Sequence, residues 1–464
     1  MILFCSKCSN FLSYIDIVKN GGQKDGCRFP LIRGRYLSFL TYIFPASFFL
    51  EMVQMGLLEI FGVSESYKLP DAIMACLLSG GVAEKLTEIK AEGISSLRDY
   101  YQNEQGDRKN LKQDFTPDDI CHIVSGLMKP GTVLDMCAGT GALSAAAYAS
   151  GHGQIHEQEF SERTIAFNLL DAALNGRPCV VDQADCLREN IVKRYVVKKE
   201  EDFCTVEEVE PHEAGSFDNV IMNPPYSMTF DDADSVDFYG MKVPKSKADY
   251  GFVLNGLKHL SEGGRLVAIL PHGVLFRGQR EDDIRRWLIE RNLIKAVIGL
   301  PDNMFLNTGI PVFLLVLQSG SNDTLFIDSQ RECYKDGKSN KMRQDQIRKV
   351  IDTFNSRAEI ERYSRVVSAK EIAGNDYNLN IPRYVDSTPP EPAIDMAQVM
   401  DDLERISAEE LDAYRALRSN LRLLVGNPED MTIVNRHIGM IEHQINARTK
   451  KTKATVAKEQ LSLF

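Results

Sequence analysis

Between residues 132 and 317 short apolar runs alternate with helical stretches, and this alternation restricts the fold more than any other feature of the chain. Residues 132–135 read as a strand, Met136-Cys137-Ala138-Gly139-Thr140-Gly141 as a glycine-bearing turn, and residues 142–150 as a helix. Strand runs return at 154–156, 179–181, 217–222, 265–270, 294–299 and 312–317, with helical patterns at 161–174, 249–260 and 281–290. Strands that alternate with helices pair in parallel and need cover on both faces. The expected fold is therefore α/β, a doubly wound, mostly parallel sheet of about seven strands, flanked by helical N-terminal and C-terminal regions.

A chain of 464 residues, 44% apolar, can bury several cores, and its pattern divides it. Residues 1–51 form an extension of uncertain role, 52–110 a helical N-terminal domain, and 111–320 the α/β domain. An accessory segment follows at 321–386, then a helical hairpin at 387–447 and a basic tail at 448–464. Met52 and Met55 stand as alternative starts. The apolar run from Ser38 to Leu50 is broken by Pro45 and too short to span a bilayer, so no membrane partner is expected. A net charge of −11 excludes a protein that grips nucleic acid over its whole surface, because phosphate contacts need clustered Lys and Arg. Ten scattered cysteines suit a reducing cytosol. Cys5 and Cys8 lack the second close pair a zinc knuckle requires, so no metal site is expected.

The candidate site residues lie at predicted strand ends, where open α/β sheets bind ligands. Asn223-Pro224-Pro225-Tyr226 closes the apolar run Phe217 to Met222 with a rigid turn that holds an amide and an aromatic ring. In the glycine turn, Gly139 and Gly141 allow close backbone approach ahead of a helix N-terminus. By itself that turn is equally a cofactor loop or a structural one. Glu157, Glu159 and Asp185 follow the next two strands, where carboxylates can receive ribose hydroxyls or an amine. Thr116 is placed to cap a helix that has Pro117 at its first position. Residues 193–214, rich in charge, read as a surface loop, and the lysines of 231–246 as a solvated or phosphate-facing loop.

Beyond residue 320 the alternation weakens. After a proline-rich linker, Leu403, Ile406, Tyr414, Leu417, Leu421 and Leu424 fall on one helical face, and Met431, Val434, Ile438, Ile441 and Ile445 on another. The basic tail, expected to be disordered alone, finishes in Gln460-Leu461-Ser462-Leu463-Phe464. Apolar residues in such a tail suit a hydrophobic groove on a partner.

Phe115-Thr116-Pro117, Asp135 to Gly141 and Asn223 to Tyr226, in that order, resemble the N6-adenine DNA methyltransferases of the gamma arrangement. Gly264 to Gly278, with its stretch Leu270-Pro271-His272-Gly273-Val274-Leu275-Phe276-Arg277-Gly278, Val297 to Pro301, and Asn378-Leu379-Asn380 with Tyr384 are similar to the methylation subunit of type I restriction–modification systems. Gln460 to Phe464 resembles the peptide by which bacterial DNA-processing proteins bind the replication sliding clamp.

The resemblance implies a bacterial, cytoplasmic enzyme with a Rossmann-like class I methyltransferase fold and S-adenosyl-L-methionine as donor. Its substrate would be an adenine flipped out of double-stranded DNA, methylated by a modification subunit of a type I-like restriction–modification system or by an orphan or mobile-element methylase. Asp135, Ala138, Gly139 and Gly141 would shape the methionine pocket, with Phe115, Thr116 and Pro117 folding over it. Glu159 would take the ribose hydroxyls and Asp185 the cofactor's adenine, with Asn223 bordering both sites. Catalysis would rest on Asn223, Pro224, Pro225 and Tyr226. The resemblance further implies specificity and restriction subunits as partners, because no separate domain for reading the DNA target is visible. Two other readings remain. Protein glutamine N5-methylation also uses an Asn-Pro-Pro-Tyr turn, but the Phe-Thr-Pro segment and the chain length count against it. A non-catalytic module docking on a clamp or specificity subunit is disfavoured by the intact turn and glycine loop.

Overall fold

The computed structural model describes residues 56–80, 82–92, 94, 97–98, 101, 116–200, 203–305, 309–388 and 395–461, and the short strands Gln23–Lys24 and Cys27–Arg28. It divides into two compact units, Met1–Ser387 and Thr388–Phe464.

In the first unit, helices α1 (Leu69–Leu78), α2 (Val82–Ala91) and α3 (Asp118–Leu127) precede the sheet. Strand β1 (Val133–Met136), helix α4 (Ala142–Ala149), strand β2 (Ile155–Glu159), helix α5 (Glu162–Leu174) and strand β3 (Cys179–Asp185) form the first winding. A hairpin, β4 (Asn190–Lys199) and β5 (Cys204–Val209), leads to β6 (Phe217–Met222), α6 (Asp249–Lys258), β7 (Leu260–Pro271) and α7 (Arg280–Glu290). Strands β8 (Ile294–Gly299), β9 (Val312–Leu317) and β10 (Asp323–Asp328) follow, then α8 (Gln344–Ser356), β11 (Ser364–Ser368) and α9 (Ala369–Gly374).

These strands form one sheet in the order β11-β10-β8-β9-β7-β6-β1-β2-β3-β4-β5. The stretch from β3 to β8 is the expected seven-stranded core, in which β9 alone runs against the rest. The doubly wound α/β reading holds, but the sheet has eleven strands, because two more add to each edge. At one edge the expected surface loop at 193–214 is instead the β4–β5 hairpin. Its alternation was hidden by charge: Tyr195, Val197, Cys204 and Val206 turn inward under α1 and α5, while Lys198 and Glu207 pair on the outside. At the other edge, β10 and β11 extend the sheet beyond residue 320, where the weakened pattern showed no strands.

Period-two alternation sends successive side chains to opposite faces. Leu134, Met136, Val220 and Met222 pack on α6 and α7, whereas Val133, Ile221, Val267 and Ile269 pack on α3, α4 and α8. All four residues of β1 are buried, as a central parallel strand requires. Strand order reverses direction between β1 and β6, which pair in parallel with Asp135 opposite Ile221 and Met136 opposite Met222. The glycine turn after β1 and the Asn223 turn after β6 therefore emerge side by side at the carboxyl edge. Such a switch point opens a crevice in a sheet of this kind.

The second unit holds α10 (Met396–Leu421), capped by Asp395, and α11 (Pro428–Leu461). Arg422 pairs with Glu442, and Arg448 with Glu410, so the two helices run antiparallel. On the apolar face of α10, Leu403, Ile406 and Leu417 are exposed, Leu403 to 55% and Ile406 to 52%. A two-helix pair has one seam, too little to bury a broad apolar stripe. The expected basic tail continues α11 as helix to Leu461. The side chains of Gln460 and Leu461, and residues 462–464, lie outside the described residues.

Candidate active site

Asn223 stands at the point where β6 stops, because Pro224 and Pro225 can donate no ladder hydrogen bond. Its amide is held at both ends. Nδ2 donates to Thr116 Oγ1 at 2.9 Å, and Oδ1 accepts from the Tyr226 hydroxyl at 2.8 Å. The Tyr226 ring meets Phe305 edge to face with centroids 6.1 Å apart. Just past the turn, Ser227 takes a left-handed φ of 49°, and its N–H donates to Asp249 Oδ1 at 2.8 Å. Asp249 is fully buried on α6, so the turn is tied to a rigid helix.

Thr116 does not cap α3, as its position had promised. The cap is Pro117, in extended conformation and without a side-chain bond, and α3 begins at Asp118. The Thr116 hydroxyl is buried against Asn223 instead, a long-range contact that no local pattern reports. Phe115 lies outside the described residues.

The glycine turn is held by Ala138 N–H to the Gln158 carbonyl and Gly139 N–H to Glu159 Oε2, each 2.9 Å. Gly139, at φ 58°, has nothing within 4 Å of where a Cβ would stand. Gly141, at φ 80°, is different: a Cβ there would lie 2.7 Å from Arg177 Nη2 and 3.1 Å from Glu157 Oε2. Glu157 and Arg177 form a buried ion pair completed by Asn168, which donates to Glu157 Oε2 at 2.6 Å. Glu157 is thus a structural anchor beneath the turn. Asp135, also beneath it, accepts from Ser144 N–H at 3.1 Å and Ser144 Oγ at 2.8 Å, serving the open N-terminus of α4. Burial, then the nearby Glu157, raises its pKa well above the ordinary carboxylate value.

Glu159 receives Gly139 N–H and, at 2.8 Å, Ser161 N–H; burial raises its pKa against these bonds. Asp185 accepts from the N–H groups of Leu187 and Arg188 at 3.0 and 3.1 Å and pairs with the Arg188 guanidinium at 2.6 Å. Arg188 also reaches Asp232 and stacks over Phe230, which joins the segment after the Asn223 turn to the end of β3.

These groups surround a cavity of about 210 Å³. Thr116, Ala138, Gly139, Glu159 and Asp185 line it with Asn223, Pro224, Pro225 and Tyr226. Pro117, Asp135 and Gly141 do not line it; the last two support it from below. Sequence reasoning missed Phe160, Cys186, Leu187, Met228 and Phe252, which give the walls their apolar character, and Thr140, which adds a hydroxyl. Phe160 was legible as an aromatic directly after Glu159; Met228 and Phe252 reach the wall only through the path of the chain after β6. Among the described residues no cluster of three or more His, Cys, Asp or Glu is placed to hold a metal ion, and no helix is long and apolar enough to cross a membrane.

Sheet order, glycine turn and strand-end carboxylates together define the class I methyltransferase fold. The chain belongs to the N-6 DNA methylase family, whose model matches residues 96–392. It is 27% identical over 367 residues to the type I restriction enzyme MpnII methylase subunit of Mycoplasma pneumoniae, over 74% of this chain and 65% of that one. To the MjaVIII methylase subunit of Methanocaldococcus jannaschii it is 26% identical over 340 residues, covering 67% and 56%. The chain therefore spans between half and two thirds of the length of these relatives. Among solved structures, the type I restriction-modification methyltransferase subunit from Streptococcus thermophilus aligns with a TM-score of 0.51 and 34% identity over 59% of each chain.

Proposed function

We propose that this chain methylates N6 of adenine in double-stranded DNA with S-adenosyl-L-methionine as donor, as the modification subunit of a type I-like restriction–modification system. The observation that carries this reading is the Asn223 side chain, held at the mouth of a cavity that also contains Glu159 and Asp185. The cavity residues fit that donor. Gly139 leaves room for close approach, two carboxylates offer acceptors, and the Thr140 hydroxyl, 95% buried on the cavity wall, has no hydrogen-bond partner among the described residues. When bound, S-adenosylmethionine supplies a methyl group on a positively charged sulfur.

The amine of adenine is a poor nucleophile because its lone pair is delocalised into the ring. Asn223 Oδ1, a carbonyl oxygen that accepts from the Tyr226 hydroxyl, can accept from the amine as well, and the Pro224 carbonyl can accept the other N–H. Two acceptors so arranged favour a tetrahedral nitrogen with its lone pair directed away from them. The effect is electrostatic pre-organisation, and no base need act before attack. The target must leave the stack to reach these atoms, and the Tyr226 ring offers a face for it.

Partners follow the same reading: duplex DNA, a specificity subunit that supplies target reading, and a restriction subunit. Residues 460–464 are proposed to bind the sliding clamp. The test is transfer of radiolabel from S-adenosylmethionine to DNA by the chain with its neighbouring-gene subunits, against Asn223→Ala. Label in DNA that disappears in the variant supports the reading. Label in protein glutamine, or equal transfer by the variant, overturns it.

A further inference from the structure

The segment His272-Gly273-Val274-Leu275-Phe276-Arg277-Gly278-Gln279 joins β7 to α7 and has no place in the chemistry above. It leaves the sheet beside the Asn223 turn, because β6 and β7 are parallel neighbours with Met222 opposite Ala268. Val274 and Leu275 are fully buried, and the Val274 carbonyl accepts from the Tyr250 hydroxyl at 3.3 Å and Arg285 Nη1 at 3.2 Å. Arg277 folds back over Gly273, where a Cβ would come within 2.5 Å of Nε. Its guanidinium faces Asp249 Oδ2 at 3.2 Å and Glu281 Oε1 at 3.1 Å. The cation of this segment is therefore turned inward, away from any phosphate.

Phe276, Gly278 and Gln279 are the exposed residues of the loop, and the one apolar side chain among them is the ring of Phe276, 48% exposed. An aromatic side chain left in water on a braced loop needs a reason. Four other exposed rings on this unit have a contact: Phe160 lines the cavity, Tyr239 lies against Trp287, and Tyr67 and Tyr334 carry the cations of Lys68 and Arg343 over their faces. Asp249 supplies a second observation. One of its oxygens receives Ser227 N–H behind the catalytic turn and the other receives Arg277, so a single buried carboxylate sets the register between Asn223 and the Phe276 loop. Enzymes that extrude a base leave a gap in the stack, and an apolar wedge at fixed distance from the pocket can occupy it.

We propose that Phe276 enters the duplex and fills the space vacated by the target adenine, with Asp249 and Arg277 as positioning residues that hold it in step with the Asn223 turn. This inference rests on the methyltransferase reading. The experiment compares wild type, Phe276→Ala and Phe276→Trp, each with its specificity subunit, on two duplexes carrying the target mapped in host DNA. One duplex is intact, and in the other the nucleotide opposite the target adenine is abasic. Calorimetry with S-adenosylmethionine shows that each variant retains its fold and cofactor site. Extrusion is read from the fluorescence of 2-aminopurine at the target position.

Phe276→Ala is expected to lose the fluorescence rise and at least about tenfold in kcat/KM on the intact duplex, yet to stay within about threefold of wild type on the abasic one, where less stacking opposes extrusion. Phe276→Trp is expected to match wild type on both. Wild-type behaviour of Phe276→Ala on the intact duplex would overturn the wedge, as would an equal loss on both substrates. No transfer by wild type to either duplex sinks the methyltransferase reading itself, and the wedge with it.

Discussion

The Tyr226 hydroxyl donates to Asn223 Oδ1 at 2.8 Å, the same oxygen proposed to accept a hydrogen bond from the amine of the substrate. With Thr116 at the other end of the amide, the Asn223 side chain has one orientation before any ligand arrives. Removal of either neighbour leaves the amide present but unsteered. A net hydrogen bond of this kind is worth about 1 kcal/mol, which corresponds to about fivefold in rate. Tyr226→Phe keeps the ring and should lower kcat by about that factor with KM for DNA unchanged. Thr116→Val should do the same, and Thr116→Ser should restore it. Single-turnover methylation decides the matter, since unchanged rates in both variants would remove the hydroxyls from the mechanism.

The two glycines of the turn should fail in different ways. Gly141→Ala drives a Cβ into Arg177 and Glu157 at a φ of 80°, and should destabilise the fold by about 2–4 kcal/mol. Gly139→Ala meets no atom, so it should cost only about 1 kcal/mol of backbone strain while weakening S-adenosylmethionine binding. Thermal denaturation beside calorimetric titration separates the two, and a fully stable Gly141→Ala would refute the buried anchor.

Glu281 provides a pH test of the bracing under the Phe276 loop. Burial is the main cause that pushes its pKa from 4.5 up to about 7, against the opposing charge of Arg277, and its Oε2 has no partner among the described residues. A raised carboxyl pKa means that the folded state holds a proton that the unfolded state has released. Stability from this group is therefore complete below the unfolded value, falls as pH rises from about 4.5 to about 7, and changes no further above that. Glu281→Gln should flatten the curve of Tm against pH in that window. Parallel curves for variant and wild type would show that Glu281 does not titrate there.

Deletion of residues 460–464 should abolish capture by the sliding clamp and leave methylation in vitro intact. Retained capture by the truncated chain would place the contact elsewhere.

Local pattern exposed much of this molecule. The strand runs, the glycine turn, Asn223 to Tyr226, and Glu159 and Asp185 at strand ends were all readable, because alternation and strand-end chemistry are properties of neighbouring residues. Where charge overlay obscured alternation, as at Tyr195 to Val206, a hairpin was read as a loop. The leucines of α10 show the same limit: helical spacing reveals a face but not what covers it.

By itself the sequence determined which residues could carry the chemistry and the class of sheet that would present them. Tertiary structure decided which of them meet. Thr116 bonds to Asn223 across 107 positions of chain, and only the parallel pairing of β1 with β6 brings the glycine turn to that amide. Packing likewise divided Glu157 from Glu159, two residues apart on one strand. Opposite the turn, Glu157 met Arg177 in the core, while Glu159 was left bordering the cavity. That division follows from the buried partner each side chain found, which no periodicity in the chain encodes.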